Sequence, residues 1–126
     1  MSTDRKVNIL CIDDEPFILT LLSRILTLEG YRVLTASDQK SALEIVNKEE
    51  VDLVISDYLM PDLTGTELIK LINKKSPNSL KMILTGQADD NEIEKAINQG
   101  LIIKCLQKPI SGVLLKSEIK NCLHAH

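Results

Sequence analysis

Val51-Asp52-Leu53-Val54-Ile55-Ser56-Asp57 (residues 51–57) decides the fold, because an almost wholly apolar run ends on a carboxylate. A strand with one wet face alternates polar and apolar residues. A run without alternation belongs to a strand covered on both faces, as in a parallel sheet. Val7-Asn8-Ile9-Leu10-Cys11-Ile12 has the same character and ends on Asp13-Asp14. Leu101-Ile102-Ile103-Lys104-Cys105-Leu106 follows suit and closes, with only Gln107 between, on Lys108. Parallel strands bring these ends to one edge, where open α/β sheets bind their ligands. Three carboxylates and one ammonium therefore meet there.

Working outward, helical and strand patterns alternate. Pro16 suits a first helical turn, with Asp14 or Glu15 as cap. Phe17, Ile18, Leu21, Leu22, Ile25 and Leu26 then recur at helical spacing up to Gly30. Tyr31–Ala36 reads as a second strand. Ser37 or Asp38 opens a second helix with Ala42, Ile45 and Val46 inward. Thr64 and Glu67 have capping-box spacing for a third helix bearing Leu68, Ile69 and Ile72. After the Ser76-Pro77-Asn78 turn, Leu80–Thr85 reads as the fourth strand. Asp89 or Asp90 starts a fourth helix (Ile93, Ala96, Ile97) closed by Gly100. Pro109 and Ser111 lead to a last helix with Leu115, Ile119 and Cys122. Five βα units predict an α/β, doubly wound (βα)5 domain with a five-stranded parallel sheet. One domain over 1–126, with its core at about 6–123, is the expectation.

At 126 residues the chain can bury a core without metal or disulfide support. Its aromatics are Phe17, Tyr31 and Tyr58, so that core is aliphatic. A net charge of −3 argues against nucleic acid as a direct partner. Cys11, Cys105 and Cys122 lack metal-ligand spacing and read as free thiols in a reducing compartment. The first six residues lack the apolar stretch of a signal peptide, and no run reaches the ~18 apolar residues of a membrane span. A cytoplasmic protein with no membrane partner is expected.

Clustered carboxylates repel one another unless a cation relieves them. Aspartates with a backbone carbonyl and water suit Mg²⁺, and without histidine or cysteine at these strand ends zinc is not favoured. Asp57 beside such a metal and Lys108 is a competent phosphoryl acceptor. Thr85, ending the fourth strand, is suited to donate a hydrogen bond to the phosphoryl. Both histidines lie at the end of the chain, which excludes a Ser-His-Asp triad, and there is no glycine-rich phosphate loop.

Asp13-Asp14-Glu15-Pro16, Asp57-Tyr58-Leu59-Met60-Pro61 with Gly65, Leu84-Thr85-Gly86 and Lys108-Pro109 together resemble a response-regulator receiver domain, over essentially the whole chain. The resemblance implies the flavodoxin-like strand order 2-1-3-4-5. It implies that Asp57 is the phosphoacceptor, served by a histidine kinase or phosphotransfer protein. Asp14, Asp57 and the backbone carbonyl of Leu59 would ligate Mg²⁺, with Asp13 acting mostly through water. Thr85 would be the switch hydroxyl, Lys108 the phosphate-pairing lysine, and the Lys108-Pro109 bond a candidate cis peptide. The module would catalyse only its own phosphorylation and dephosphorylation and would not be an enzyme. An output domain or effector would meet the face of the fourth helix, fifth strand and fifth helix, where Glu92, Lys95, Asn98, Lys104 and Lys116 are expected to be exposed.

Two positions depart from the family pattern. Cys105 stands where receivers usually carry an aromatic that rotates on activation, so only the Thr85 half of the usual switch is present. Leu59, with Gln87, flanks the route for an attacking water, and an apolar Leu59 predicts a long-lived phosphoryl. Asp52 and Asp62 read as solvated, and Met60 and Pro61 as shaping the loop. Three other classes fit less well. An aspartate-nucleophile phosphohydrolase needs a general acid at Leu59. A constitutive docking pseudo-receiver usually loses an acid or the lysine. In a flavin-binding module this acidic pocket would repel phosphate.

Overall fold

Five strands alternate with five helices in the computed structural model, which describes residues 6–86 and 91–125. In order these are β1 (Asn8–Ile12), α1 (Pro16–Leu28), β2 (Arg32–Ala36), α2 (Gln39–Lys48), β3 (Leu53–Asp57), α3 (Gly65–Lys75), β4 (Leu80–Thr85), α4 (Asn91–Asn98), β5 (Lys104–Gln107) and α5 (Gly112–Ala125). The strands form one parallel sheet in the order β2-β1-β3-β4-β5. This is the expected doubly wound fold. Gln87, Asp89, Asp90 and His126 lie outside the described residues, and with them the expected cap of the fourth helix.

The unbroken apolar runs have the predicted cause. Every residue of β1 and β3 is buried, whereas the edge strands β2 and β5 are half open. Ile9, Cys11, Leu53, Ile55, Met82 and Leu84 face α1 and α5, meeting Leu22, Leu26, Leu115 and Ile119. Leu10, Ile12 and Val54 face α2 and α3 on the other side. Tyr58, Ile69 and Ile83 continue that side to α4, where they meet Ile93 and Ala96. Each fully buried leucine or isoleucine contributes about 1.5–3 kcal/mol of transfer free energy, so the aliphatic layers dominate the fold's stability.

Four local expectations are corrected. β5 starts at Lys104 and not at Leu101. Backbone N–H groups of Leu101 and Ile102 instead donate to the carbonyl of Ala96, closing α4 through Gly100 at φ +77°. Phe17 sits on the outer side of α1 and is 73% exposed despite its helical spacing. Glu15 is the N-cap of α1 by position but makes no side-chain cap; the Asp13 carboxylate accepts its N–H at 2.9 Å. Asp52 is not merely solvated, for its Oδ2 accepts the N–H of Asn8 at 2.8 Å and anchors the start of β1.

The remaining caps follow the sequence. Asp38 caps α2 by accepting the Ser41 N–H at 2.8 Å. Thr64 and Glu67 form the capping box of α3, with bonds of 3.2 and 2.8 Å. The Lys108-Pro109 peptide is cis.

Candidate functional site

Parallel register carries the expected site side chains to the carboxyl edge of the sheet. Asp13 and Asp14 follow β1, Asp57 ends β3, Thr85 ends β4 and Lys108 follows β5. Asp57 pairs in register with Leu84, and Thr85 with Gln107, so adjacent strands end level. Lys108 is locked to β4 by its N–H, which donates to the Thr85 carbonyl at 2.7 Å.

The ammonium of Lys108 lies 3.0 Å from Asp13 Oδ2 and 3.0 Å from Asp57 Oδ1. It thus bridges two carboxylates that would otherwise face each other unscreened. Asp13 is fully buried and Asp57 nearly so, while Asp14 is exposed. One carboxylate oxygen from each of the three aspartates lies within 4.8 Å of the others, and these residues could hold a metal ion. Oxygen donors alone, with two buried carboxylates and one open one, fit a hard divalent cation.

Charge at the site is finely opposed. Burial pushes the Asp57 carboxyl above its ordinary pKa; the hydrogen bond from Lys108 works against this, and the charge of Asp13 adds to it. The expected mutual repulsion is thus present but secondary to desolvation. Burial disfavours the Lys108 ammonium, yet its hydrogen bonds to Asp13 and Asp57 outweigh burial and hold its pKa above the ordinary value.

The turn after β3 is held close against the sheet. Tyr58 donates its N–H to the Leu84 carbonyl at 2.9 Å and accepts the Gly65 N–H at 2.6 Å. A Cβ on Gly65 would collide with the Asp57 carbonyl oxygen and lie 2.9 Å from Ile83 Cδ1, so only glycine permits this approach. Leu59 is bridged to Thr64 and leaves its side chain 60% exposed beside the carboxylates. Ser56 is buried, its hydroxyl donating to the Asp57 carbonyl at 3.0 Å. The Gly65 spacing was visible in the sequence; its steric reason was not.

Of the residues expected to be exposed on the α4–β5–α5 face, Glu92 is half-buried, and Lys104 is exposed but paired. Glu92 is drawn inward to hydroxyl groups of the β3–α3 turn. Lys104 pairs with Glu118 at 2.9 Å. Lys95 and Asn98 are exposed as expected, and Lys116 is half-buried.

The response regulator receiver domain family model matches residues 9–120. The chain belongs to that family. Receivers of two-component systems are signalling switches and not classical enzymes. This receiver is 36% identical over 119 residues to the transcriptional regulatory protein GlrR of Escherichia coli K12, covering 94% of this chain and 27% of that one. It is 38% identical over 116 residues to the sensor protein EvgS of Escherichia coli O157:H7, covering 92% of this chain and 10% of that one. The chain thus spans about a quarter or less of these relatives' length. Among solved structures, a CheY-like response regulator receiver domain protein from Methanospirillum hungatei superposes with a TM-score of 0.89 at 30% identity, covering 96% of each chain. Among the described residues, no helix is long and apolar enough to cross a membrane.

Proposed function

We propose that this receiver, one domain over 1–126 with its core at about 6–123, accepts a phosphoryl group on Asp57 in the cytoplasm. The donor is the phosphohistidine of a histidine kinase or phosphotransfer protein. The observation that carries this is the Lys108 ammonium, 3.0 Å from both Asp57 and Asp13, beside a trio of carboxylates able to hold a metal. An Asp57 oxygen attacks phosphorus as the P–N bond to the donor imidazole breaks, leaving an aspartyl phosphate and a neutral histidine. Lys108 pairs with the charge on the transferred group, and the Thr85 hydroxyl donates to one of its oxygens. Mg²⁺, held by Asp14, Asp57 and the Leu59 carbonyl with Asp13 through water, would neutralise phosphoryl oxygens when bound.

The domain catalyses only this transfer to itself and the later hydrolysis of its own aspartyl phosphate, which restores the Asp57 carboxylate and releases inorganic phosphate. Its state is read by an output domain or effector on the α4–β5–α5 face. GlrR is by name a transcriptional regulator and EvgS a sensor protein, which supports kinase and output partners of the two-component kind.

Incubation with acetyl phosphate, with and without Mg²⁺, followed by intact-protein mass measurement, tests the reading. A single Mg²⁺-dependent phosphoryl adduct is expected on the wild type and none on Asp57→Asn, which keeps its fold. An adduct that persists in Asp57→Asn would overturn the assignment.

A further inference from the structure

Behind the site, one carboxylate gathers three hydroxyl groups. Glu92, in the first turn of α4, accepts from Tyr58 Oη at 2.9 Å and from Thr66 Oγ1 at 2.5 Å, and Thr64 Oγ1 lies 3.4 Å away. Hydrogen bonds to an ionised acceptor are stronger than neutral ones. Thr64 and Thr66 belong to the start of α3, and Tyr58 is the residue next to Asp57.

The two sides of this network are anchored differently. Tyr58 follows Asp57 in the chain and is pinned by backbone bonds to Leu84 of β4 and Gly65 of α3, so its ring is fixed to the sheet edge and the start of α3. It is the sole aromatic on this face, since Phe17 is exposed and Tyr31 packs with the α1 and α5 cluster. Cys105, at the rim of the same cluster, is too short to reach across it. On the other side α4 is a short helix that buries only Ile93 and Ala96. Beside that small apolar hold, the bonds to Glu92 tie its first turn to Tyr58 and to the start of α3.

We propose that Glu92 is a latch: the Tyr58–Glu92–Thr66 network holds α4 in its resting position, and phosphorylation of Asp57 releases it. This rests on the phosphoacceptor reading above. β4 ends at Thr85 and the next described element in the chain is α4, so a phosphoryl that draws in the Thr85 hydroxyl acts on the strand end from which the chain continues to α4. Thr66 stays with α3, as does Tyr58 through its bond to Gly65, while the Leu84 carbonyl that Tyr58 also holds lies one residue before Thr85. The carboxylate and its hydroxyl partners therefore separate in one state and meet in the other, which is the differential contact a two-state switch requires. It supplies, from the residue after the acceptor, the link between site and output face that Cys105 cannot.

The test compares wild type, Tyr58→Phe and Glu92→Gln. Adduct mass after acetyl phosphate and Mg²⁺ is read beside NMR shifts and hydrogen exchange of the α4 amides. All three proteins should gain one phosphoryl. Without phosphoryl, the variants should exchange α4 amides about tenfold faster than wild type, the loss expected for one charge-assisted bond. Their α4 resonances should lie on the line from resting to phosphorylated wild type. Shifts and exchange equal to wild type would overturn the latch. Faster exchange with resonances off that line would mark a merely structural tie and overturn it as well. A folded wild type that takes no phosphoryl would instead overturn the phosphoacceptor reading, and the latch with it.

Discussion

Two lysines are drawn into this fold, one at each edge of the sheet, and they are treated in opposite ways. Lys108, at the carboxyl edge, faces two carboxylates, and its pKa stands above the ordinary value although burial opposes it. Lys81, near the amino end of β4, is 3% exposed and, among the described residues, donates to neutral acceptors, Asn73 Oδ1 at 2.6 Å and the Ser76 carbonyl at 2.8 Å. Burial pulls its pKa down to about 8. Burial alone does not make a lysine functional. What faces it decides: carboxylates open to a ligand give a charge that can pair with phosphate, and a helix-end carbonyl gives a cap for α3.

The contrast can be broken most sharply at Lys108. Lys108→Met should slow phosphorylation by acetyl phosphate about 10²–10³-fold, as the loss of one preorganised charge-stabilising group does. Lys81→Met should leave that rate unchanged, and equal loss in both would erase the distinction. Lys81 should show itself in stability against pH. Its folded pKa of about 8 lies below the ordinary 10.5, so below pH 8 the cost of burying its charge is fully present. Between those values only the unfolded chain binds the proton, and stability rises with pH. Wild type minus Lys81→Met should gain up to about 3 kcal/mol from pH 7 to 10.5 in denaturant titrations. The difference is the proper readout because Cys11, raised by burial from 9.0 to about 12, pulls the other way above pH 9. A pH-independent difference would mean that the Lys81 acceptors fully offset its burial. A smaller effect sharpens the site itself. Leu59→Asn gives the exposed position beside Asp57 a group that can orient water, and dephosphorylation followed by mass should speed up about tenfold. Equal rates would show that Leu59 does not set the phosphoryl lifetime.

Much of the architecture was legible because its causes are local. The runs before Asp13 and Asp57 lack polar alternation, and β1 and β3 are covered on both faces. The Thr64–Glu67 spacing specifies its own helix start. Once the strands are parallel, Asp13, Asp14, Asp57 and Lys108 can only gather at one edge, and they do. What was not legible depends on what lies opposite in space. Leu101 and Ile102 look like strand but are claimed by the Ala96 carbonyl at the end of α4. Phe17 keeps helical spacing yet has no layer above it. Asp52 finds a donor 44 residues away in Asn8, and Glu92 one 34 residues away in Tyr58. Lys81 sits in an apolar run and gave no sign that α3 would end over it. No period or short motif encodes such meetings.

The phosphoacceptor assignment is tested most directly by locating the label. After acetyl phosphate and Mg²⁺, borohydride reduction converts an aspartyl phosphate to homoserine, and peptide mass mapping finds the altered position. Homoserine at position 57 and nowhere else is the expected result. An acid-stable phosphate on Ser56 or Thr85, or reduction at Asp13 or Asp14, would contradict it.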